Sequence, residues 1–391
     1  VPVTFRPTVH RRLQLIAGLL LAVLVALAAM GCGARRGATP VATATPRATN
    51  GQPRAYRIGF SALPTALTDQ AQQDAFDLGA KYGDVLLLQK PVAWSEFAAG
   101  STPSTKTRMQ TASERDHAQA RGLQLFIALD PFDPADRGRL ASPPAGSETH
   151  DLRDPSLRSA LVAQAKYVAV NYKPTYLAIG VEVNGTYERN PTQYQKFVEA
   201  YKEAYSAAKS ASPNTMVFPT FEYEQLLGLV PWEAPHPPRW ELLRDFAERS
   251  DMFAISTYPS FTYSVARKVP PDYYRQIKDQ TKLPIAFASA GYASAPGRDG
   301  VNSSTPDEQR RFLQRLLGDA DALASPLVVW FLRQDANYLT APPFDLFQSI
   351  GLVDVKGTNK QAWPIWEATS MRPYDSSTPA KEPPPDPSST P

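Results

Sequence analysis

The sequence predicts an α/β chain folded as a single (β/α)8 TIM barrel, preceded by a signal segment and a flexible tether. Three observations lead there. Short apolar runs recur eight times, and they are continuous rather than alternating, as strands covered on both faces should be. Helical stripes separate them. The turn after the first run, Ser61-Ala62-Leu63-Pro64, lacks the glycine-rich phosphate loop that an open doubly wound sheet would place there.

Taken in order, the strands are expected at Tyr56–Leu63, Asp84–Gln89, Leu123–Asp130, Tyr176–Glu182, Thr215–Thr220, Met252–Tyr258, Leu283–Ser289 and Leu327–Leu332, each followed by a helical pattern. The clearest helix is Pro191–Ala211, where Tyr194, Phe197, Val198, Tyr201, Ala204 and Tyr205 form one stripe. Asp154-Pro155, Asn190-Pro191 and Thr305-Pro306 each combine an N-cap residue with proline at the first helical position, and so mark helix starts.

The flanks read differently. His10, Arg11 and Arg12 precede the apolar run Leu13–Met30, and Ala29-Met30-Gly31-Cys32 closes it with small residues around the single cysteine. Residues 1–32 are expected to be an export signal. The closing residues resemble the bacterial lipobox, which implies lipidation of Cys32 and anchoring to the cell membrane on its extracytoplasmic side. An uncleaved membrane anchor is the alternative, since the run just reaches a spanning length. Residues 33–53 read as a flexible linker, 54–375 as the barrel, and 376–391 as a disordered Pro/Ser-rich tail. One cysteine permits no disulfide within the chain and no cysteine zinc site. The net charge is +3, part of it in the signal and tether, and no basic run occurs. No nucleic-acid partner is therefore expected. A monomer is the expected state.

In a barrel, function is read just after each strand. These positions carry Trp94 after strand two, Asp130 after strand three, and Glu182 and Asn184 after strand four. Glu222 and Glu224 follow strand five, Tyr258 strand six, and Ser289 and Tyr292 strand seven; strand eight contributes Trp330, Arg333 and Asp335. Aromatic faces with carboxylates and amides suit a sugar, whose axial hydrogens stack while its hydroxyls need polar partners. Glu182 is the first catalytic candidate, because a carboxylate closing a buried strand is costly unless hydrogen-bonded or functional. His117, His150 and His236 lack metal spacing, so no metal and no cofactor is expected; Asp130-x-x-Asp133 reads as a turn. Ser289 lacks the first glycine of a hydrolase nucleophile elbow.

Four segments resemble the clan of retaining (β/α)8 glycoside hydrolases that includes endo-β-1,4-galactanases and cellulase-like enzymes. They are Ile179-Gly-Val-Glu-Val-Asn184, Asp251–Pro259, Leu283–Tyr292 and Gly351–Lys360 with Ala362 and Trp366. The resemblance implies that Glu182 is the general acid/base and that Tyr258 stands near the nucleophile. Two positions depart from the clan. Val181 replaces the asparagine that binds the sugar 2-hydroxyl, and Ser289 replaces the nucleophilic glutamate. Two readings follow for a polysaccharide or oligosaccharide partner. One is a β-glycan-acting glycosidase using Glu182 with a second carboxylate such as Glu222. The other is a pseudo-glycosidase that binds glycan, or a surface scaffold.

Overall fold

The structure is a computed structural model and describes residues 49–147 and 151–378. The expected signal segment with Cys32, the linker up to residue 48 and the tail beyond residue 378 lie outside the described residues. The described chain is already tied down before residue 54. The Asn50 amide donates to Met371 O at 2.7 Å, and Arg372 donates to the carbonyls of Gln52 and Pro53.

Eight strand positions form a parallel barrel: β1 Arg57–Ser61, β2 Val85–Pro91, β3 Gln124–Asp130, β4 Tyr176–Ile179, β5 in two segments (Met216–Phe218 and Thr220–Glu222), β6 Phe253–Thr257, β7 Ile285–Ala290 and β8 Leu327–Trp330. The first segment of β5 pairs with β4 and the second with β6, so the sheet closes through β5. Pro219 interrupts that strand because proline has no N–H to give to a ladder. Beyond the break, the Thr220 amide reaches across to Gly180 O at 3.1 Å.

The strands follow the sequence expectation closely, with one functional difference. β4 stops at Ile179, because Gly180 turns the chain with φ of 83° before Glu182 is reached. A Cβ at Gly180 would lie 2.4 Å from Phe197 Cζ and 2.8 Å from Val183 Cγ1. Gly180→Ala is therefore expected to destabilise by about 2 kcal/mol or more, through both the left-handed backbone and the clash. Thermal melting of the variant beside wild type checks this.

The helices are α1 Asp69–Tyr82, α2 Thr105–Ala120, α3 Pro155–Tyr172, α4 Val183–Arg189, α5 Pro191–Ala211, α6 Tyr223–Leu226, α7 Pro306–Leu323 and α8 Trp363–Met371. Asp154, Asn190 and Thr305 cap α3, α5 and α7 with their side chains, each ahead of a proline. The fifth and sixth units depart from the expected full helices. After β5 stand the four-residue α6 and a 3-10 turn, Trp240–Asp245; after β6 there are only 3-10 turns. Pro235, Pro237 and Pro238 in one unit, and Pro270 and Pro271 in the other, withhold the amides a continuous helix needs.

Period two sorts the barrel. Val85, Leu87, Phe126, Ala128, Ala178, Phe218, Ala254, Ala286, Ala288 and Val329 fill the interior, while their neighbours Leu86, Ile127, Leu177, Val217, Ile255, Phe287, Val328 and Trp330 pack outward against the helices. This parity decides which strand-end residues reach the mouth.

Candidate ligand site at the barrel mouth

A cavity of about 470 Å³ opens at the C-terminal ends of the strands, within the range of small-molecule sites. Continuing the inward parity, its lining includes Gln89, Asp130, Thr220, Glu222, Ser256, Tyr258 and Phe331. Glu182, Val181, Arg137, Arg189 and Gln225 contribute from the loops and short helices above the strands.

Glu182 stands between Gly180 and α4 with φ of 50° and ψ of 49°, a left-handed conformation uncommon outside glycine. Thr220 secures it by accepting the Glu182 amide at 2.9 Å. Its carboxylate meets Arg137 at 3.1 Å, and the same guanidinium binds Asp130 through its other terminal nitrogen. Arg137 lies on the hairpin strand Asp136–Leu140, which pairs with Phe132–Asp133 immediately after β3. Burial raises the Asp130 carboxyl above the usual range, the Arg137 charge opposing it. One arginine thus holds two of the mouth carboxylates together. Nothing in the sequence marked Arg137, because its hairpin is too short to show a periodic pattern.

Glu222 forms a different group. Burial and the neighbouring Glu224 charge raise its carboxyl well above the usual range. Its Oε2 accepts the Gln225 amide, and its buried Oε1 meets no donor from the described residues. Glu224 is supplied with three donors, the Thr257 hydroxyl at 2.7 Å, the Tyr258 amide at 2.8 Å and the Tyr273 hydroxyl at 2.9 Å. Burial raises the Glu224 carboxyl as well, so the two buried neighbours favour sharing a proton over ionising together. Asn184 fixes this arrangement. Its amide nitrogen donates to Glu222 O at 2.9 Å and its oxygen accepts the Glu222 amide at 2.8 Å.

Across the mouth, Ser289 Oγ lies 2.6 Å from Tyr258 Oη. A shift of register in β7 between Phe287 and Ser289 leaves Ala288 unpaired, so that both Ala288 and Ser289 line the cavity. Such bulges re-aim a side chain beside a site. Burial pushes the Tyr258 hydroxyl well up, with the Glu182 charge adding to it, so the phenol stays neutral.

Asp130, Glu182, Glu222, Tyr258 and Ser289 therefore meet at one cavity. Besides Glu224, whose carboxylate is taken up by the three donors named above, six other residues expected at the mouth do not line it, and each has a physical reason. Trp94 is buried, with its indole N–H given to Ala141 O at 2.7 Å. Trp330 has outward parity and donates to Ile350 O at 2.8 Å. Tyr292 stacks on Phe312 at 4.7 Å and bonds Tyr263 O. Arg333 lies over the Trp363 ring at 5.3 Å, and Asp335 binds Lys360 at 2.6 Å. Asn184 is spent on the Glu222 backbone.

No family model and no curated protein matches the chain. Solved structures do. The barrel is of the kind that glycoside hydrolases use. An exo-β-1,4-mannosidase from Opitutaceae bacterium strain TAV5 gives a TM-score of 0.62 at 15% identity, over 86% of this chain and 62% of that one. The chain thus spans less than two-thirds of that protein's length. The GH5_18 protein of Bifidobacterium longum subsp. longum, in complex with Manβ1-4GlcNAc, gives 0.62 at 14% identity, over 83% of this chain and 80% of that one. A β-1,3-glucanosyltransferase from Rhizomucor miehei gives 0.50 at 13%, over 79% and 96%. At these identities the likeness shows a shared fold.

Proposed function

We propose that the mouth binds a neutral saccharide and that retaining hydrolysis does not run here. The observation that carries this reading is the hydroxyl at the end of β7. A retaining mechanism needs a second carboxylate about 5–5.5 Å from the first; in the clan the sequence resembles, the end of strand seven supplies it, and here that position holds the neutral Ser289. Its contact at 2.6 Å is a phenol whose proton burial holds in place, so no base activates it as a nucleophile. Val181 likewise offers no amide to a sugar 2-hydroxyl. The ion pairs argue against an anionic ligand, since each cation lining the mouth already faces a carboxylate: Arg137 faces Asp130 and Glu182, Arg189 faces Glu233 at 3.4 Å, and Lys90 faces Glu114 at 2.8 Å. The solved glycoside hydrolases of the same fold support a saccharide over other neutral ligands.

The experiment incubates the full chain with galactans, mannans, xylans and β-glucans, following binding and reducing-end release together. Binding without release is expected, and Glu182→Gln should weaken it about tenfold, since hydrogen bonds to a charged group contribute most. A second reading draws on the proton of Glu222: Glu222 as general acid, with Glu182 activating a water, would be an inverting hydrolase. Release of an inverted anomer that vanishes in both Glu182→Gln and Glu222→Gln would establish that reading and overturn the first.

We also propose, from the sequence, that lipidated Cys32 holds the barrel on the extracytoplasmic face of the membrane. Metabolic labelling with palmitate should mark the wild type and leave Cys32→Ser unlabelled. Equal labelling of the two would end the idea.

A further inference from the structure

We infer that the cavity takes a glycoside with an apolar aglycone, the sugar lying against the Glu182 side and the aglycone against an aromatic wall opposite. This inference rests on the saccharide reading above and names its ligand class.

The wall is built from Phe261, Phe331, Tyr338, Phe344, Leu346 and Phe347, all on loops after β6 and β8. Except for Phe261, which is buried, they are only partly buried, although they pack on the apolar cluster of Tyr258, Leu332, Leu339 and Ile350 beneath. Phe347 is at its centre. Its ring lies 5.0 Å from Tyr258 at 68°, 5.6 Å from Phe331 at 74° and 6.2 Å from Phe261 at 67°. These are edge-to-face contacts rather than a flat platform lying open for a sugar ring.

The polar atoms of the wall are already committed. The Tyr338 hydroxyl donates to Pro64 O at 2.8 Å, and the Tyr258 hydroxyl is held by Ser289 at 2.6 Å. A sugar pressed here would lose water from its hydroxyls with nothing to replace it, a cost that outweighs stacking. An alkyl or aryl group loses nothing and removes apolar surface from water. The opposite side has the reverse character. Glu182, Asp130, Arg137, Gln225 and Glu233 present acceptors and donors in number. Polar and apolar halves face one another across a single cavity, which matches a ligand divided in the same way.

The test measures binding of phenyl and methyl β-D-mannopyranosides, and their glucose and galactose counterparts, to the full chain by calorimetry, with phenol alone as a third probe. The expected result is that the phenyl glycoside of the preferred sugar binds about tenfold or more tightly than its methyl partner. Phe347→Asn should bring that ratio towards one, while Phe347→Leu should keep most of it. Should Phe347→Asn fail to fold by circular dichroism, Phe344→Ser replaces it. Equal affinity of the phenyl and methyl glycosides overturns the inference and leaves saccharide binding standing. Phenol binding as tightly as the phenyl glycoside also overturns it, because the sugar then contributes nothing. Absence of binding by every glycoside brings down the saccharide reading, and this inference with it.

Discussion

Arg137→Leu is expected to cost about 3 kcal/mol of stability at neutral pH, near the lower end for removing one partner of a buried ion pair. The reason lies in what remains. Asp130 and Glu182 share this guanidinium and stand close enough for the Glu182 charge to push up the Asp130 carboxyl. Without Arg137, two carboxylates face each other with only partial access to water, their side chains being 17% and 24% exposed. That exposure is why the lower end of the range applies. The loss should be smaller in acid. Asp130 already has a raised folded-state pKa, and losing Arg137 raises it further, so the folded variant binds protons that the unfolded chain has released. Its stability is then greatest below the ordinary carboxylate range and falls as pH rises through the folded value. Arg137→Lys keeps a charge but loses the two-pronged geometry, and should fall between wild type and leucine. Urea unfolding of the three proteins at pH 4.5 and 7.5 checks this. An Arg137→Leu midpoint equal to wild type at pH 7.5 would show the bridge to be without energetic weight.

The second large effect concerns Glu222. Its folded pKa lies well above the unfolded one, chiefly through burial and then through the Glu224 charge. The protonated form therefore stabilises the fold below the ordinary glutamate range, and that contribution is lost as pH rises through the folded value. Glu222→Gln replaces the O–H donor to Glu224 with an amide N–H and cannot ionise. Little change is expected near pH 4.5, and a gain of about 1–2 kcal/mol by pH 8.5, on the scale of one pKa shift of that order. Glu224→Ala should act in the opposite direction. It strips an acceptor from Thr257, Tyr273 and the Tyr258 amide at once, and unsatisfied buried donors cost about 1–3 kcal/mol each. The informative measurement is the slope of stability against pH. If Glu222→Gln keeps the wild-type slope, the proton does not reside on this pair.

Much of the candidate site was legible in the chain, and the misses have identifiable causes. Asp130, Glu182, Glu222, Tyr258 and Ser289 were found because each closes an apolar run, and closing a parallel strand of a barrel places a residue at the mouth. Trp94 and Trp330 were expected there as aromatics close to a strand end, without regard to which way each side chain faces. Parity would have excluded Trp330, which follows Val329 of the interior set by one residue and so faces the helices. Ser289 would have been misplaced by parity, since only the bulge at Ala288 turns it inward. Arg137 comes from a short hairpin and Phe347 from a 3-10 turn, segments too short for a period to mark a contact. The missing helices of units five and six were announced by clustered prolines that the helical pattern alone does not weigh.

By itself, the sequence determined the succession of strands, the capped starts of α3, α5 and α7, and the absence of a carboxylate at Ser289. Burial on both faces of a strand, a cap followed by proline, and the identity of a side chain are local properties, written in neighbouring residues. The tertiary structure alone decided that Arg137 joins Asp130 to Glu182, that Glu222 and Glu224 are buried as neighbours, and that an aromatic wall stands across the cavity from these charges. Each depends on distances between segments far apart in the chain, where burial and charge act through space and leave no trace in sequence spacing.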